Sequence, residues 1–332
     1  MMQVPRLDDL KRAYAVTAGA TQTTPLLESA ALAAEAGAKR VFVKPESLQW
    51  AGSFKIRGAY WRLTQLSADE AARGVVAFSS GNFAQGLAAA GKALGVPVTI
   101  VMPIDAPEAK REATRGYGAT VVLSDHGERG REDAAAELAA SIASEQGLTL
   151  LHPFDDMEVV TGQAGAGLEA LEQLADAGAA APDLVLCPVG GGGLIGGVAL
   201  AFHYLAPHAQ VIGVEPEAYA GMGTSLDRGE IAVMPVGPRS ICDGLMARAP
   251  GRAPFAAVSK AGVTGLSVSD GSVRRAMRFA FERLKLVLEP SGAAGIAALL
   301  DGRLDVAGKT VLIVATGGNV SLADFVGHVS NA

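Results

Sequence analysis

The sequence predicts an α/β protein built on parallel sheets, and three observations carry that expectation. Short apolar runs alternate with helical stretches along most of the chain, the pattern of strands joined by right-handed crossovers. Glycine fills 41 of 332 positions while aromatic residues make up only 5%, a composition suited to tight turns and close backbone approaches. The length corresponds to about two domains, and no Pro- or Ser-rich linker, low-complexity block or short repeat interrupts it.

The regular alternation starts with a strand expected from Gly74 to Ser79, a helix from Gln85 to Leu94 and a strand from Val98 to Met102. A helix from Ala106 to Gly116 and a strand from Ala119 to Leu123 follow. The next set is a helix from Arg131 to Gln146, a strand from Leu148 to Leu151, and a helix from Gly162 to Leu174. Then come a strand from Leu184 to Pro188, a helix from Leu194 to Leu205 and a strand from Val211 to Val214. Val273, Ala276, Met277, Ala280, Phe281 and Leu284 recur at helical spacing, with Ser269 or Asp270 available as a cap. Arg274, Arg275, Arg278 and Arg283 fall mostly on the opposite face and read as a solvated surface. A last strand from Thr310 to Val314 opens into Thr316-Gly317-Gly318-Asn319. In open parallel sheets ligands collect where strands end, so such turns are where chemistry is expected.

Composition narrows the partners. With 28 Lys+Arg against 34 Asp+Glu the chain carries −6, which disfavours nucleic acid and anionic membranes and leaves a small solute as the expected ligand. The uncharged run from Leu184 to Phe202 holds Pro188 and four glycines, which would break a spanning helix. The N-terminus is charged early and lacks the apolar core of a signal peptide. Two cysteines, Cys187 and Cys242, make no disulfide framework, so a cytoplasmic location is expected.

Three turns each admit two readings. Lys55, in Ser53-Phe54-Lys55-Ile56-Arg57-Gly58, is either a surface lysine covering Phe54 or a desolvated amine able to condense with a carbonyl. Ser79-Ser80-Gly81-Asn82 is either an ordinary helix cap or a seat for a carboxylate. Gly190-Gly191-Gly192-Gly193 suits a phosphate at a helix N-terminus. Yet Gly191, Gly193 and Gly196 with Glu215 also satisfy a dinucleotide fingerprint, so a nicotinamide (NAD) dehydrogenase stays open. A dinucleotide would leave the Lys55, Ser80 and Thr316 turns without a task, whereas a phosphorylated pyridine aldehyde acting on amino acids uses all four.

Motifs along nearly the whole chain resemble the fold-type II pyridoxal-phosphate enzymes, in the threonine/serine dehydratase and serine racemase group. They are Thr24-Pro25-Leu26, Gly52 to Ala59, Ser79 to Asn82, Met102-Pro103, Ala106 to Lys110, His152-Pro153-Phe154, Gly162-Gln163, Pro188 to Gly193, Glu289-Pro290 and Gly317-Gly318-Asn319. The resemblance implies a tryptophan synthase β-like fold of two doubly wound domains. Residues 1–69 and 149–332 would form the large one and 70–148 a small one inserted in it, with the active site in the cleft. It implies Lys55 as the Schiff-base lysine, Phe54 against the ring, Asn82 on the ring hydroxyl and Thr316 on the pyridine nitrogen. The phosphate falls to Gly190, Gly191, Gly192, Gly193 and Leu194, and the substrate carboxylate to Ser79, Ser80, Gly81 and Asn82.

The implied reaction is dehydration and deamination of L-threonine or L-serine. Lys55 would take the α-proton, and Ser80, a serine where many dehydratases of the group carry alanine, would serve the opposite face in racemisation. A serine racemase and a hydroxyaspartate or phenylserine dehydratase are the alternatives within this chemistry, and a silent amino-acid-binding protein is one outside it. Three departures from the pattern stand out. Phe83 replaces a histidine and is expected to wall the substrate with an apolar ring, favouring threonine or a bulkier β-substituted 3-hydroxy amino acid over hydroxyaspartate. Glu215 matches a first ligand of the racemase cation site, but Gly221 stands where an aspartate is expected, so that site looks incomplete. The regulatory region of the biosynthetic dehydratases is expected to be absent, since the sequence ends shortly after the last turn. A homodimer is the group's expectation.

Overall fold

A computed structural model describes residues 2–125, 127, 130–330 and 332. Its strands are β1 (Leu27–Glu28), β2 (Arg40–Pro45), β3 (Val75–Phe78), β4 (Val98–Pro103), β5 (Thr120–Ser124), β6 (Thr149–Leu151), β7 (Leu184–Pro188), β8 (Gln210–Pro216), β9 (Thr264–Val268) and β10 (Thr310–Ala315). They form a six-stranded sheet in the order β1-β2-β10-β7-β8-β9 and a four-stranded sheet in the order β5-β4-β3-β6.

Every pairing is parallel except that of β1 with β2, so the larger sheet is mixed. The antiparallel partner is a two-residue edge strand, with too little pattern to show in sequence. The central strand β7 is buried along its whole length between β10 and β8, which is why it reads as an unbroken apolar run. The run from Leu184 to Phe202 resolves into β7, the glycine loop and the helix Gly193–Leu205, and no helix among the described residues is long and apolar enough to cross a membrane.

The expected helix from Gly162 is two helices, Met157–Gln163 and Gly165–Asp176, joined at Ala164. The helix Asp270–Phe279 is capped by Ser269, whose side chain accepts from the Ser272 amide, and continues as a π turn over Ala280–Leu284. The boundary expected at 148 stops just short of a strand of the smaller sheet: β6 pairs with β3, Val75 opposite Thr149. Cys187 and Cys242 are free and buried.

The stretch around Lys55, expected as a turn, is the start of the helix Lys55–Thr64. Ile56, Ala59 and Leu63 share one core cluster with Ala84, Leu87 and Ala88 of the helix Asn82–Leu94. Gly86 makes the contact close: a Cβ there would sit 2.9 Å from the Ile56 nitrogen and 3.0 Å from the Lys55 Cβ. The lysine segment is thus clamped against the helix that begins with Asn82.

Candidate active site

The segments after β3, β6, β7 and β10 meet at one cavity of about 480 Å³, at the carboxyl ends of parallel strands. It brings together Phe54, Lys55, Ser79, Ser80, Gly81, Asn82, Gly190, Gly191, Gly192, Gly193, Leu194 and Thr316. Of the site residues expected from the sequence, Glu215 alone does not line it.

Lys55 enters the cavity from the first turn of its helix. The Phe54 amide donates to the Thr316 carbonyl at 3.3 Å, tying the lysine segment to the end of β10. The Lys55 Nζ lies 3.4 Å from the Pro153 carbonyl oxygen and 5.1 and 5.7 Å from the ring centres of Phe54 and Phe83. Burial among these groups pushes the amine down to about 8, while the negative charge of Glu289 opposes the shift. The surface-lysine reading therefore fails, and Phe83 is a wall of the amine itself.

Behind Lys55 lies a buried ionic cluster. Arg57 donates from Nε and Nη2 to the two Glu46 oxygens at 2.7 and 2.8 Å, and its Nη1 lies 2.7 Å from Glu169 Oε2. Lys44 Nζ donates to Glu169 Oε1 at 2.9 Å and to the Thr24 carbonyl at 2.6 Å. Burial alone would raise the Glu46 carboxyl, but Arg57 and Lys44 more than offset it and hold it below its ordinary value. Two cations and two anions are thus paired where an unpaired charge would be costly.

The helix Asn82–Leu94 has Gly81 at its N-cap and no side-chain cap, so ordinary capping by serine or asparagine is not what the turn does. Ser79 Oγ instead accepts from the Gly81 amide at 3.2 Å, leaving the first-turn amides of the helix without a side-chain partner beside the cavity. The helix Gly193–Leu205 is likewise uncapped behind Gly192, whose φ of 97° suits glycine. A Cβ on Gly191 would strike the Phe154 ring at 2.1 Å, so this loop lies flush under Phe154. Uncapped, dipole-reinforced amides on a glycine bend fit a phosphate.

Sequence reasoning gave no role to several residues that the fold places here. Glu289, N-cap of the helix Pro290–Leu300, accepts from Asn82 Nδ2 at 2.6 Å. Burial, aided by Asp243, raises its carboxyl to about 7 against the opposing effects of Lys110, Asn82 and Lys55. His152 Nδ1 accepts from the Asp155 amide at 2.9 Å, and burial holds the ring below its ordinary value. Lys110 and Arg131 also line the cavity, paired with Asp243 at 2.7 Å and Asp105 at 2.8 Å. The motifs Glu289-Pro290 and His152-Pro153-Phe154 were legible; what these side chains touch was not.

Glu215 accepts from the amides of Met222 at 2.7 Å and Gly223 at 2.8 Å, and burial raises it to about 7 against those two bonds. It caps the helix Gly221–Arg228 and is not presented to a ribose, which removes the acid that the dinucleotide reading required. Among the described residues no cluster of three or more His, Cys, Asp or Glu side chains is placed to hold a metal.

Comparison with known proteins converges on the same chemistry. An L-threonine ammonia-lyase of Thermotoga maritima is 41% identical over 316 residues, 95% of this chain and 76% of that one. An L-threo-3-hydroxyaspartate ammonia-lyase of a Pseudomonas species is 40% identical over 98% of each chain. Maize serine racemase superposes with a TM-score of 0.89 at 32% identity, covering 97% of this chain and 96% of the other. The family described as pyridoxal-phosphate dependent enzyme matches residues 18–317, a span that holds Lys55, both uncapped helix starts and Thr316. The lysine amine, the uncapped glycine bend and this match over most of the chain agree, and the chain belongs to the pyridoxal-phosphate dependent enzymes.

Proposed function

We propose that the protein removes water and then ammonia from a 3-hydroxy amino acid, L-threonine or L-serine, to give a 2-oxo acid. The observation that carries this reading is the Lys55 amine. It is lowered to about 8 and shares one cavity with two uncapped helix starts, one suited to a phosphate and the other to a carboxylate. Relatives that act on threonine and on threo-3-hydroxyaspartate support it.

Lys55 would hold the cofactor and, once freed, would take the α-proton. The first-turn amides behind Gly190 to Gly193, with Leu194, would hold the phosphate, and Phe54 would back the ring. Thr316, whose hydroxyl donates only at 3.5 Å to the Ser291 carbonyl, would offer that hydroxyl to the ring nitrogen. Pyridoxal phosphate, when bound, supplies the electron-withdrawing ring that makes the α-proton acidic. A neutral hydroxyl at Thr316 could not pair ionically with that nitrogen, so it would hold the nitrogen by a hydrogen bond alone. Ser79, Ser80, Gly81 and Asn82 seat the substrate carboxylate. The water lost with the β-hydroxyl is regained when the product hydrolyses, so the net products are the 2-oxo acid and ammonia.

Two observations bear on substrate. Phe83 is 2% exposed and places an apolar ring beside the amine, and Arg131 is already paired with Asp105. Both favour threonine over hydroxyaspartate. Racemisation is the second reading, favoured by Ser80 in the cavity and by the likeness to maize serine racemase. We further assign the segment bearing the smaller sheet, from about 70 to 151, to an inserted domain, and expect a homodimer in a reducing cytoplasm.

The test is a panel of L- and D-serine, L- and D-threonine, threo-3-hydroxyaspartate and phenylserine, assayed for oxo acid and chirality together. Borohydride reduction and peptide mapping of the loaded enzyme should label Lys55. Hydroxyaspartate as the best substrate would reject the role given to Phe83, and an unlabelled Lys55 would reject the whole reading.

A further inference from the structure

The amide of Asn82 is held in one orientation by a chain of hydrogen bonds whose polarity has a single solution. The Ala51 carbonyl can only accept, and Asn319 Nδ2 donates to it at 2.8 Å. The same Nδ2 lies 2.8 Å from Asn82 Oδ1, which must therefore accept. Asn82 Nδ2 is then the donor, and it gives one N–H to Glu289 Oε1 at 2.6 Å. Its other N–H remains. Gly317 makes room for the arrangement: a Cβ there would lie 2.2 Å from Glu289 Oε1 and 3.0 Å from Asn82 Nδ2. Glu289 is itself fixed, since its amide donates to the Gly317 carbonyl at 3.0 Å and the residue is 4% exposed.

We propose that Glu289, together with Asn319, is a positioning residue that locks the Asn82 amide so that it can only donate a hydrogen bond to the ring oxygen of the cofactor. This rests on the placement of that oxygen at Asn82 given above. An amide free to turn could offer its carbonyl, which repels an ionised oxygen and favours the neutral hydroxyl; a locked N–H favours the ionised form. Glu289 acts through Asn82.

The reconstituted enzyme carries its own reporter. Its visible absorption band reports the ionised ring oxygen and its near-ultraviolet band the neutral one. Glu289→Ala should raise the neutral form about tenfold relative to the ionised form, the size of one charge-assisted hydrogen bond, and should speed cofactor release into a scavenger. Glu289→Gln keeps an acceptor at Oε1 and should return most of the wild-type ratio, and Asn319→Ala should move it in the same direction as Glu289→Ala. Should Glu289→Ala fail to fold, Asn319→Ala and Glu289→Gln still decide. A wild-type band ratio in Glu289→Ala or in Asn319→Ala, or a Glu289→Gln shift as large as that of alanine, overturns the proposal. Borohydride labelling separates the two levels: Lys55 labelled with an unmoved ratio rejects the role of Glu289 alone, whereas a label elsewhere rejects the cofactor placement beneath it.

Discussion

Lys110 Nζ meets Asp243 Oδ2 at 2.7 Å across the cavity, joining the helix Glu108–Gly116 beside the smaller sheet to the short turn Asp243–Leu245 beside the larger one. Both side chains are partly exposed, at 20% and 44%, so the pair contributes at most about 1 kcal/mol and is sensitive to salt. As a clasp over a substrate cleft it should matter more for binding than for folding. Lys110→Ala is expected to raise KM by up to about fivefold with little change in kcat. The wild-type KM should rise with ionic strength and that of the variant should not; parallel salt curves would show that the pair does not hold the cleft.

The acidity of Lys55 sets how the apoenzyme takes up its cofactor. With the amine lowered to about 8, it is protonated below that pH and neutral above it, and only the neutral form attacks an aldehyde. The rate of colour formation on adding pyridoxal phosphate should climb about tenfold per pH unit up to 8 and then level. A plateau reached only above pH 10 would mean that the amine is solvated.

Phe83 should link that acidity to packing. Truncating this 2% exposed ring with Phe83→Ala is expected to cost about 3–5 kcal/mol in urea unfolding. Water admitted beside Lys55 should move the midpoint of the cofactor-uptake profile back toward an ordinary lysine. A loss of stability with an unchanged midpoint would assign the desolvation to other groups.

Arg57 tests the ionic cluster behind the lysine. Its guanidinium is fully buried between Glu46 and Glu169, so Arg57→Met leaves two buried carboxylates facing Lys44 alone. A loss of about 3–5 kcal/mol is expected. Paired removal of charge in Arg57→Met/Glu46→Gln should recover part of it, and an additive double variant would show that the two groups are not coupled.

Ser80→Ala divides the two activities open to this site. Racemisation needs a proton donor on the far face of the substrate and should fall by at least about a hundredfold, while elimination, driven from Lys55, survives. Chiral analysis of residual serine alongside oxo-acid formation reads both, and their equal loss would remove Ser80 from the two-face scheme.

Much of this was legible before any coordinates. The strand–helix alternation from β3 to β8 showed in hydrophobic periodicity because each element buries one face or the whole of itself, and β7 and the helix Arg131–Gln146 fall where they were expected. The exposed edge strand β9, with a burial pattern that hardly alternates, and the two-residue β1 gave no such signal. Lys55 was found as a residue but misplaced as a turn, because the helix it opens is held by packing on Asn82–Leu94 rather than by a local cap. In sequence Glu215 reads as a ribose acid or a cation ligand; that both its oxygens cap a helix depends on where the chain returns six residues later.

The linear chain by itself determined the alternation of elements, the lysine beside a phenylalanine and the four residues without a Cβ before a helix. Each is a property of neighbours in sequence, set by side-chain period or by the absence of a side chain. The tertiary structure decided that this lysine is half deprotonated near pH 8 and that the Asn82 amide faces one way. The first depends on burial beside Pro153 and Phe83, and the second on Glu289 and Asn319, more than two hundred residues from Asn82. Desolvation and hydrogen-bond polarity are set by what surrounds an atom in space, and only folding brings those surroundings together.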